Sequence, residues 1–290
     1  MIITVTLNPA LDKTLEVQGF AKGKLNRVEN ISTAPGGKGI NVSIKLKELG
    51  EPNVAIGFFG GSAGFSIAGN LNLNGVRTEQ VIVQGETRTN MKIVSGNELT
   101  EINEPGPKVN ENDLERLNAA IEKYAVPGNI FVFSGSVPMG VDDKIYYRLI
   151  NMVKAKGAIA ILDADGDVFR EGMKAVPYAI KPNIHELFEY RNEEFGGTIP
   201  EDYMDYVVEY SSDFIKAGVK LVCVSLGPDG AYFTDGVNNM FAPPLDADEI
   251  HRNVGDGDSM VAALAYSIAH GLDFDQTTEL AMKAAAGGRV

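Results

Sequence analysis

The sequence predicts an α/β fold: a three-layer α/β/α domain on a mostly parallel sheet, with a small β-sheet lid. Three observations predict it. Short β-branched runs alternate with helical hydrophobic periods over most of the length, the pattern of strands joined by crossover helices. These strands end in small-residue or proline turns. Two segments break the rhythm by reading as strands without an intervening helix.

Each element can be justified in order. "IITVTL" reads as a strand, and "DKTLEVQGF" as the first of the two strand-like interruptions. "GINVSIKLKELG" has a helical period and is closed by Gly50; "NVAIGFFGG" is a strand, and "FSIAGNLNLNG" a second helix closed by glycine. "ETRTNMKIVSGNELTEINEPG" is the second interruption, a hairpin turning at "SGNE". Strands follow in "NIFVFSGS", "AIAILDADG", "YAIKPN" and "KLVCVSLGPDG", with a helix in "KIYYRLINMVKAKG". No linker, repeat or low-complexity tract divides the chain. The prediction is one domain over 1–290, with lid strands inserted at about 12–33 and 86–104. Exposed lid strands need their apolar face covered, which points to a lid over a cleft or to a dimer contact.

Composition narrows the function. With 290 residues, 44% of them hydrophobic, the chain can bury a large core. A formal charge of −13, from 26 Lys+Arg against 39 Asp+Glu, argues against a nucleic-acid binder or an anionic-membrane protein. An anionic ligand must then meet locally concentrated cations and amides. Cys223, the single cysteine, lies in the apolar run "KLVCVSLG", which rules out an intrachain disulfide and reads as a small buried hydrophobe. The start "MIITVTLNPALDKT" lacks the basic and long apolar regions of a signal peptide, and no apolar run approaches a membrane span. A cytoplasmic protein is expected.

In an open α/β sheet, ligands collect at the carboxyl ends of strands. "PGGKGIN" joins a turn to a helix, and its glycines Gly36, Gly37 and Gly39 would let a ligand approach the backbone beside Lys38 and Asn41. A Walker A sequence occurs nowhere. Arg88, Asn90 and Lys92 alternate in "TRTNMK", so they share one face of a strand, either as a solvated face or as a phosphate site. In "KPNIHE", Asn183 and Glu186 fit a capping box, while the same segment could meet a nucleotide. "SLGPDG" is a turn between strands or a nucleotide-receiving loop. "NVGDGDSMVA" places Asp256 and Asp258 where a helix begins, either as caps or beside an anion held by the helix N-terminus. His185, His251 and His270 have no metal-ligand spacing.

In register, "TLNPALD", "PGGKGINVS", "GFFGG", "TRTNMKI", "FSGSVPMG", "KPNIHEL", "VSLGPDGA" and "NVGDGDSMVA" resemble the ribokinase-like, PfkB-type carbohydrate kinases. The resemblance covers nearly the whole chain and favours the hexose-phosphate branch. It implies ATP and Mg²⁺, transfer of the γ-phosphoryl group to a sugar hydroxyl, and a homodimer formed through the lid. Asp258 resembles the catalytic base, and the amides of Gly255, Asp256, Gly257 and Asp258 the anion hole. Asp12, Gly37, Asn41 and Asn90 resemble sugar contacts; Lys38, Arg88 and Lys24 resemble ligands of the sugar's existing phosphate. Lys181, Asn183, Glu186, Ser225, Gly227 and Gly230 resemble the nucleotide side, with Glu186 holding Mg²⁺ through water. The implied reaction converts fructose 1-phosphate to fructose 1,6-bisphosphate, with tagatose 6-phosphate or fructose 6-phosphate as alternative acceptors. A non-catalytic sugar-phosphate-binding regulator is the rival from another class. Two departures from the family stand out: Asp256 replaces a small residue, and members usually continue past the helix ending in "AMKAAAGGRV". Asp256 is expected to point outward and offer only its amide.

Overall fold

The strands run in chain order as β1 (Ile2–Thr6), β2 (Ala10–Glu16), β3 (Asn30–Gly36), β4 (Asn53–Phe59), β5 (Arg77–Ile82), β6 (Arg88–Ser95), β7 (Glu98–Asn103), β8 (Ile130–Ser134), β9 (Ile159–Asp163), β10 (Ala179–Ile180), β11 (Leu221–Ser225), β12 (Ala231–Thr234) and β13 (Asn239–Ala242). The helices are α1 (Lys38–Glu48), α2 (Gly61–Leu73), α3 (Glu111–Glu122), α4 (Ile145–Ala155), α5 (Gly166–Met173), α6 (Ile184–Tyr190), α7 (Tyr203–Lys216), α8 (Asp256–His270) and α9 (Phe274–Ala285). These elements come from a computed structural model, which describes residues 1–191, 202–245 and 256–287.

Strand β1 is buried along its whole length, as expected of an unbroken β-branched run covered on both faces. It lies inside a nine-stranded sheet of order β13-β12-β11-β10-β9-β8-β1-β4-β5. The seven strands from β11 to β5 are parallel; β12 and β13 add an antiparallel edge. Alternation along β1 assigns its residues to two cores. Ile3 and Val5 join Phe131 and Phe133 beneath α3, α4 and α7, whereas Ile2 joins Val132 and Ile161 beneath α1, α8 and α9. Each such side chain contributes about 1.5–3 kcal/mol by its burial, so the sheet is a rigid base for the loops at its carboxyl edge. Among the described residues no helix is long and apolar enough to cross a membrane.

The predicted small sheet is present, with four strands in the order β3-β2-β6-β7. Its hairpin turns between Ser95 and Glu98, as the sequence indicates. Strand β3 begins within the expected lid span of about 12–33 but runs on to Gly36, where "PGGKGIN" reads as a turn: Pro35 pairs with Leu11 and Gly36 with Ala10. The physical reason is position. β3 is an edge strand, where a proline's missing donor leaves no ladder bond unmade. Parallel pairing of β2 with β6 sets Asp12 opposite Asn90, on the face that also carries Arg88 and Lys92.

Candidate active site

Three adjacent parallel strands end in polar residues two apart. β1 leads into Thr6 and Asn8, β8 into Ser134 and Ser136, and β9 into Asp163 and Asp165. A pocket opens there, lined by Thr6, Asn8, Gly135, Ser136, Asp165, Lys38 and Arg88. Arg88 is steadied by donating from Nε to the Asn8 carbonyl at 3.1 Å. The pocket thus carries two cations, one carboxylate from Asp165 and several neutral polar groups, and the two cations suit it to a phosphate.

Asp258 stands at the third position of α8, only 9% exposed. Asn41, on α1, donates from Nδ2 to Asp258 Oδ2 at 2.8 Å. Burial, reinforced by repulsion from Asp163, pushes the Asp258 carboxyl up to about 7, against the opposing effects of Asn41, Lys181 and Lys38. A buried carboxyl poised near neutrality has the properties of a general base. Gly257 keeps the helix start open to Lys181: a Cβ on it would lie 3.1 Å from the Lys181 ammonium.

Beneath Asp258 lies a charged cluster centred on Asp163, which is fully buried at the end of β9. Its Oδ2 accepts from Ser134 Oγ at 2.9 Å, while Oδ1 faces Lys181 Nζ at 3.5 Å and Lys38 Nζ at 3.7 Å. Burial opposes its charge, but the two lysines outweigh that and hold the carboxyl below its usual range. Burial likewise disfavours both ammonium groups, yet Asp163 and Glu186 raise each above its ordinary value. Lys38 also donates to Glu186 Oε1 at 3.3 Å. Among the described residues no group of three or more His, Cys, Asp or Glu could hold a metal ion by itself.

The small sheet carries a polar cluster of its own. Asn90 Nδ2 donates to Asp12 Oδ1 at 3.0 Å and Lys92 Nζ to Asp12 Oδ2 at 2.9 Å, which fixes the carboxylate across β2 and β6. Gly36 makes room for it, since a Cβ there would come within 2.4 Å of Asp12 Oδ1. Gly37 turns the chain from lid to core at φ 100°, in the left-handed region that favours glycine, and ends as the N-cap of α1.

On the far side of Asp163, Asn183 and Glu186 form a reciprocal capping box on α6, with bonds of 2.9 and 2.8 Å. The capping reading of "KPNIHE" therefore holds, and one Glu186 oxygen remains turned toward Lys38. Ser225 bridges to Asn183 and donates its amide to the Pro182 carbonyl at 3.1 Å, which draws the "SLGPDG" loop against "KPN". Gly230, at φ 95°, passes so close to the Ala242 carbonyl that a Cβ would sit 2.1 Å away, and Gly227 is at φ 61°.

The fold therefore brings Lys38, Lys181 and Glu186 together at Asp163 and Asn41 to Asp258, sets Lys38 and Arg88 in one pocket, and pairs Asp12 with Asn90 on the small sheet. Lys24 does not join them. It is exposed in the loop beyond the Glu16–Asn30 end of the β2–β3 ladder, and the site is at the Ala10–Gly36 end. The Gly255 position and the Asp256 side chain lie outside the described residues, as do His251 and its neighbours. His270 contacts Glu51 at 2.9 Å on the surface, and Cys223 is buried, its thiol pushed up to about 12 by desolvation. Asp163, Asp165, Ser136 and Asn8 escaped the motif reading. Their signal was present as polar residues two apart at successive strand ends, a pattern that acquires meaning only once β9, β8 and β1 are known to be neighbours.

This architecture, with a buried carboxyl at a helix start, two lysines near it and a second small sheet, has counterparts in known proteins. The family model described as pfkB family carbohydrate kinase matches residues 5–287. Over 284 residues the chain is 32% identical to a 1-phosphofructokinase of Borreliella burgdorferi, covering 98% of this chain and 90% of that protein. It is also 32% identical over 287 residues to a tagatose-6-phosphate kinase of Staphylococcus epidermidis, covering 98% and 89%. The solved structure of phosphofructokinase-2 from Escherichia coli in complex with fructose-6-phosphate superposes with a TM-score of 0.88 at 28% identity, covering 99% of this chain and 92% of that one. A match of this extent, on a fold and cleft of this kind, makes the chain a member of the pfkB family of carbohydrate kinases, phosphotransferases that act on a sugar hydroxyl.

Proposed function

We propose that the protein is a sugar-phosphate kinase that transfers the γ-phosphoryl group of ATP to a ketohexose phosphate, with fructose 1-phosphate the preferred acceptor. The carrying observation is Asp258: a buried carboxyl at the start of α8, oriented by Asn41 and flanked by Lys181 and Lys38. Asp258 takes the proton of the acceptor hydroxyl as its oxygen bonds to the γ-phosphorus. The bond from that phosphorus to the bridging oxygen breaks, and ADP leaves with the electron pair. Amides at the start of α8, including those of Asp256 and Gly257, stabilise the charge that spreads over the transferring group. Lys181 adds a fixed positive charge beside Gly257.

Arg88 and Lys38 bind the phosphate already on the sugar, in the pocket they line with Asn8 and Ser136. Asp12, steadied by Asn90 and Lys92, accepts from sugar hydroxyls beside Gly37 and Asn41. Lys24, at the distal end of its own lid, has no part in this chain's cleft. Asn183, Ser225, Gly227 and Gly230 shape the nucleotide side. The residues present also fit Mg²⁺, because Asp163 Oδ1 is a buried oxygen without a hydrogen-bond donor and Glu186 Oε1 faces the same space. Asp163 and Glu186 would hold the ion, Glu186 through water, and the ion would neutralise phosphate charge.

The preference for fructose 1-phosphate rests on "TRTNMKI" and "TEINEPGP" and on likeness to the 1-phosphofructokinase; likeness to the tagatose-6-phosphate kinase supports tagatose 6-phosphate as the second reading. A coupled assay of ADP release across fructose 1-phosphate, fructose 6-phosphate, tagatose 6-phosphate and the free sugars tests the proposal. The expected result is the highest kcat/KM on fructose 1-phosphate. Turnover on none of them would favour the non-catalytic regulator.

The lid also supports a homodimer. On the face opposite Asp12 lie Leu15, Met91, Ile31 and Ile102, the last two 55% and 48% exposed. A second lid would cover that apolar strip.

A further inference from the structure

Lys38 has two places to be. It starts α1 directly after the Gly37 turn, and its flexible stem reaches both the pocket lined with Arg88 and the cluster around Asp163. Each carboxylate it meets has one oxygen committed locally. Ser134 occupies Asp163 Oδ2, and the Asn183 amide occupies Glu186 Oε2. The remaining oxygens, Asp163 Oδ1 and Glu186 Oε1, both face Lys38 Nζ, at 3.7 and 3.3 Å.

These are slack contacts for an ammonium. Asp163 Oδ1 is buried and accepts no hydrogen bond, so Lys38 balances its charge without satisfying it. Glu186 Oε1, met among the described residues only by Lys38, and Asp163 Oδ1, shared with Lys181 at 3.5 Å, are oxygens of the kind a hard divalent cation uses when water and phosphate complete its shell. Lys181 is the contrasting case. It is only 4% exposed and packed beside Gly257, so it has nowhere else to go. Lys38 keeps nearly a third of its side chain exposed.

Building on the phosphotransfer reading above, we propose that Lys38 is an exchangeable counter-cation. In the nucleotide-free protein its ammonium neutralises Asp163 and Glu186. It gives up those two oxygens to the divalent cation that accompanies the nucleotide and turns into the pocket it already lines, toward the phosphate. Uptake of the divalent cation and delivery of a phosphate-binding cation are then one coupled event, and the coupling is reciprocal.

Mn²⁺ serves as the probe, titrated without nucleotide or sugar and followed by the paramagnetic resonance of the free ion. Lys38→Met removes the competing charge and is expected to bind Mn²⁺ at least about tenfold more tightly than the wild type, because like charges a few ångströms apart repel by more than the equivalent of one decade in affinity. Lys38→Arg, which keeps the charge, should stay close to the wild type. Adding Glu186→Gln to Lys38→Met should abolish the gain. Equal affinities of wild type and Lys38→Met, or tighter binding by the wild type, would overturn the proposal.

Wild-type protein supplies a second measurement should Lys38→Met fail to fold. Reductive methylation of Lys38, quantified by peptide mass spectrometry, should accelerate several-fold at saturating Mn²⁺ as the ammonium leaves the carboxylates, and an unchanged rate overturns the exchange. Neither measurement involves a sugar or turnover. An ADP assay negative on every sugar phosphate would therefore sink the phosphotransfer reading alone, whereas unchanged Mn²⁺ binding alongside normal turnover would sink only the exchange.

Discussion

Asp258 suits the proposed role of base because its surroundings disfavour its charge. A carboxyl pushed up to about 7 by burial and by Asp163 is a stronger base than an ordinary aspartate, and Asn41 keeps it aimed. Asp258→Asn should fold and bind both substrates, yet lose about 10²-fold or more in turnover; near-wild-type kcat would remove Asp258 from the mechanism. The profile of kcat/KM against pH should fall on the acid side with an apparent midpoint near 7 in the wild type, and that midpoint should rise in Lys181→Met, which removes a charge that favours the carboxylate. Stability follows the opposite sign. The folded chain protonates Asp258 near 7 and the unfolded chain near 3.8, so between these values the folded state binds more protons. The residue's stabilising contribution is therefore present at low pH and lost as pH rises through about 7. Asp258→Asn should consequently melt higher than the wild type at pH 8, by the order of 1–3 kcal/mol in stability, with the gap closing toward pH 5. Thermal denaturation at the two pH values checks this; a gap that widens at low pH contradicts it. Arg88→Ala should reduce kcat/KM on phosphorylated sugars far more than on free sugars, and equal losses would show that Arg88 does not read the phosphate.

At the scale of elements, the site is a set of close approaches that side chains would block. Strand β3 passes under Asp12 only because Gly36 has no Cβ, and α1 seats on β1 because a Cβ on Gly39 would come within 2.3 Å of Thr6 Oγ1. Gly36→Ala should displace Asp12 from Asn90 and Lys92 and lower kcat/KM for the sugar by about 10–10²-fold, leaving nucleotide affinity unchanged. Steady-state kinetics with each substrate varied in turn separate the two effects. A parallel loss of nucleotide affinity would place the disturbance in α1 instead of the lid. The reciprocal cap on α6 shows how a structural motif can serve a site: one Glu186 oxygen closes the helix start, and the other is left to face a cation.

The whole molecule sets a small polar lid against a large apolar base. Hydrophobic clusters on both faces of the nine-stranded sheet hold its strands in place, while the small sheet carries Asp12, Asn90 and Lys92 on one face and Leu15, Met91, Ile31 and Ile102, with Lys13 among them, on the other. Ile102→Asp should convert a dimer to a monomer in sedimentation velocity without unfolding the core, since Ile102 is half exposed within its own chain. A wild-type protein that sediments as a monomer would leave the apolar strip without its proposed partner.

The sequence by itself determined the layers, the parallel sheet, the small second sheet and the loops that carry chemistry, because hydrophobic period, glycine placement and capping signals are local and survive in one dimension. It identified Asp258, Lys38, Arg88, Lys181 and Glu186 as site candidates because their motifs are short and contiguous. Only the tertiary structure decided that Asp163 is the charge on which Lys38 and Lys181 converge, that Lys92 and Asn90 clamp Asp12, that β3 runs on through Pro35 and Gly36, and that Lys24 stands at the far end of the β2–β3 ladder. The reason is strand order. Lys38 lies 125 residues before Asp163, and Asp163 lies 18 before Lys181, so their charge pairs exist only because crossover connections bring β8, β9 and β10 side by side and seat α1 beside them.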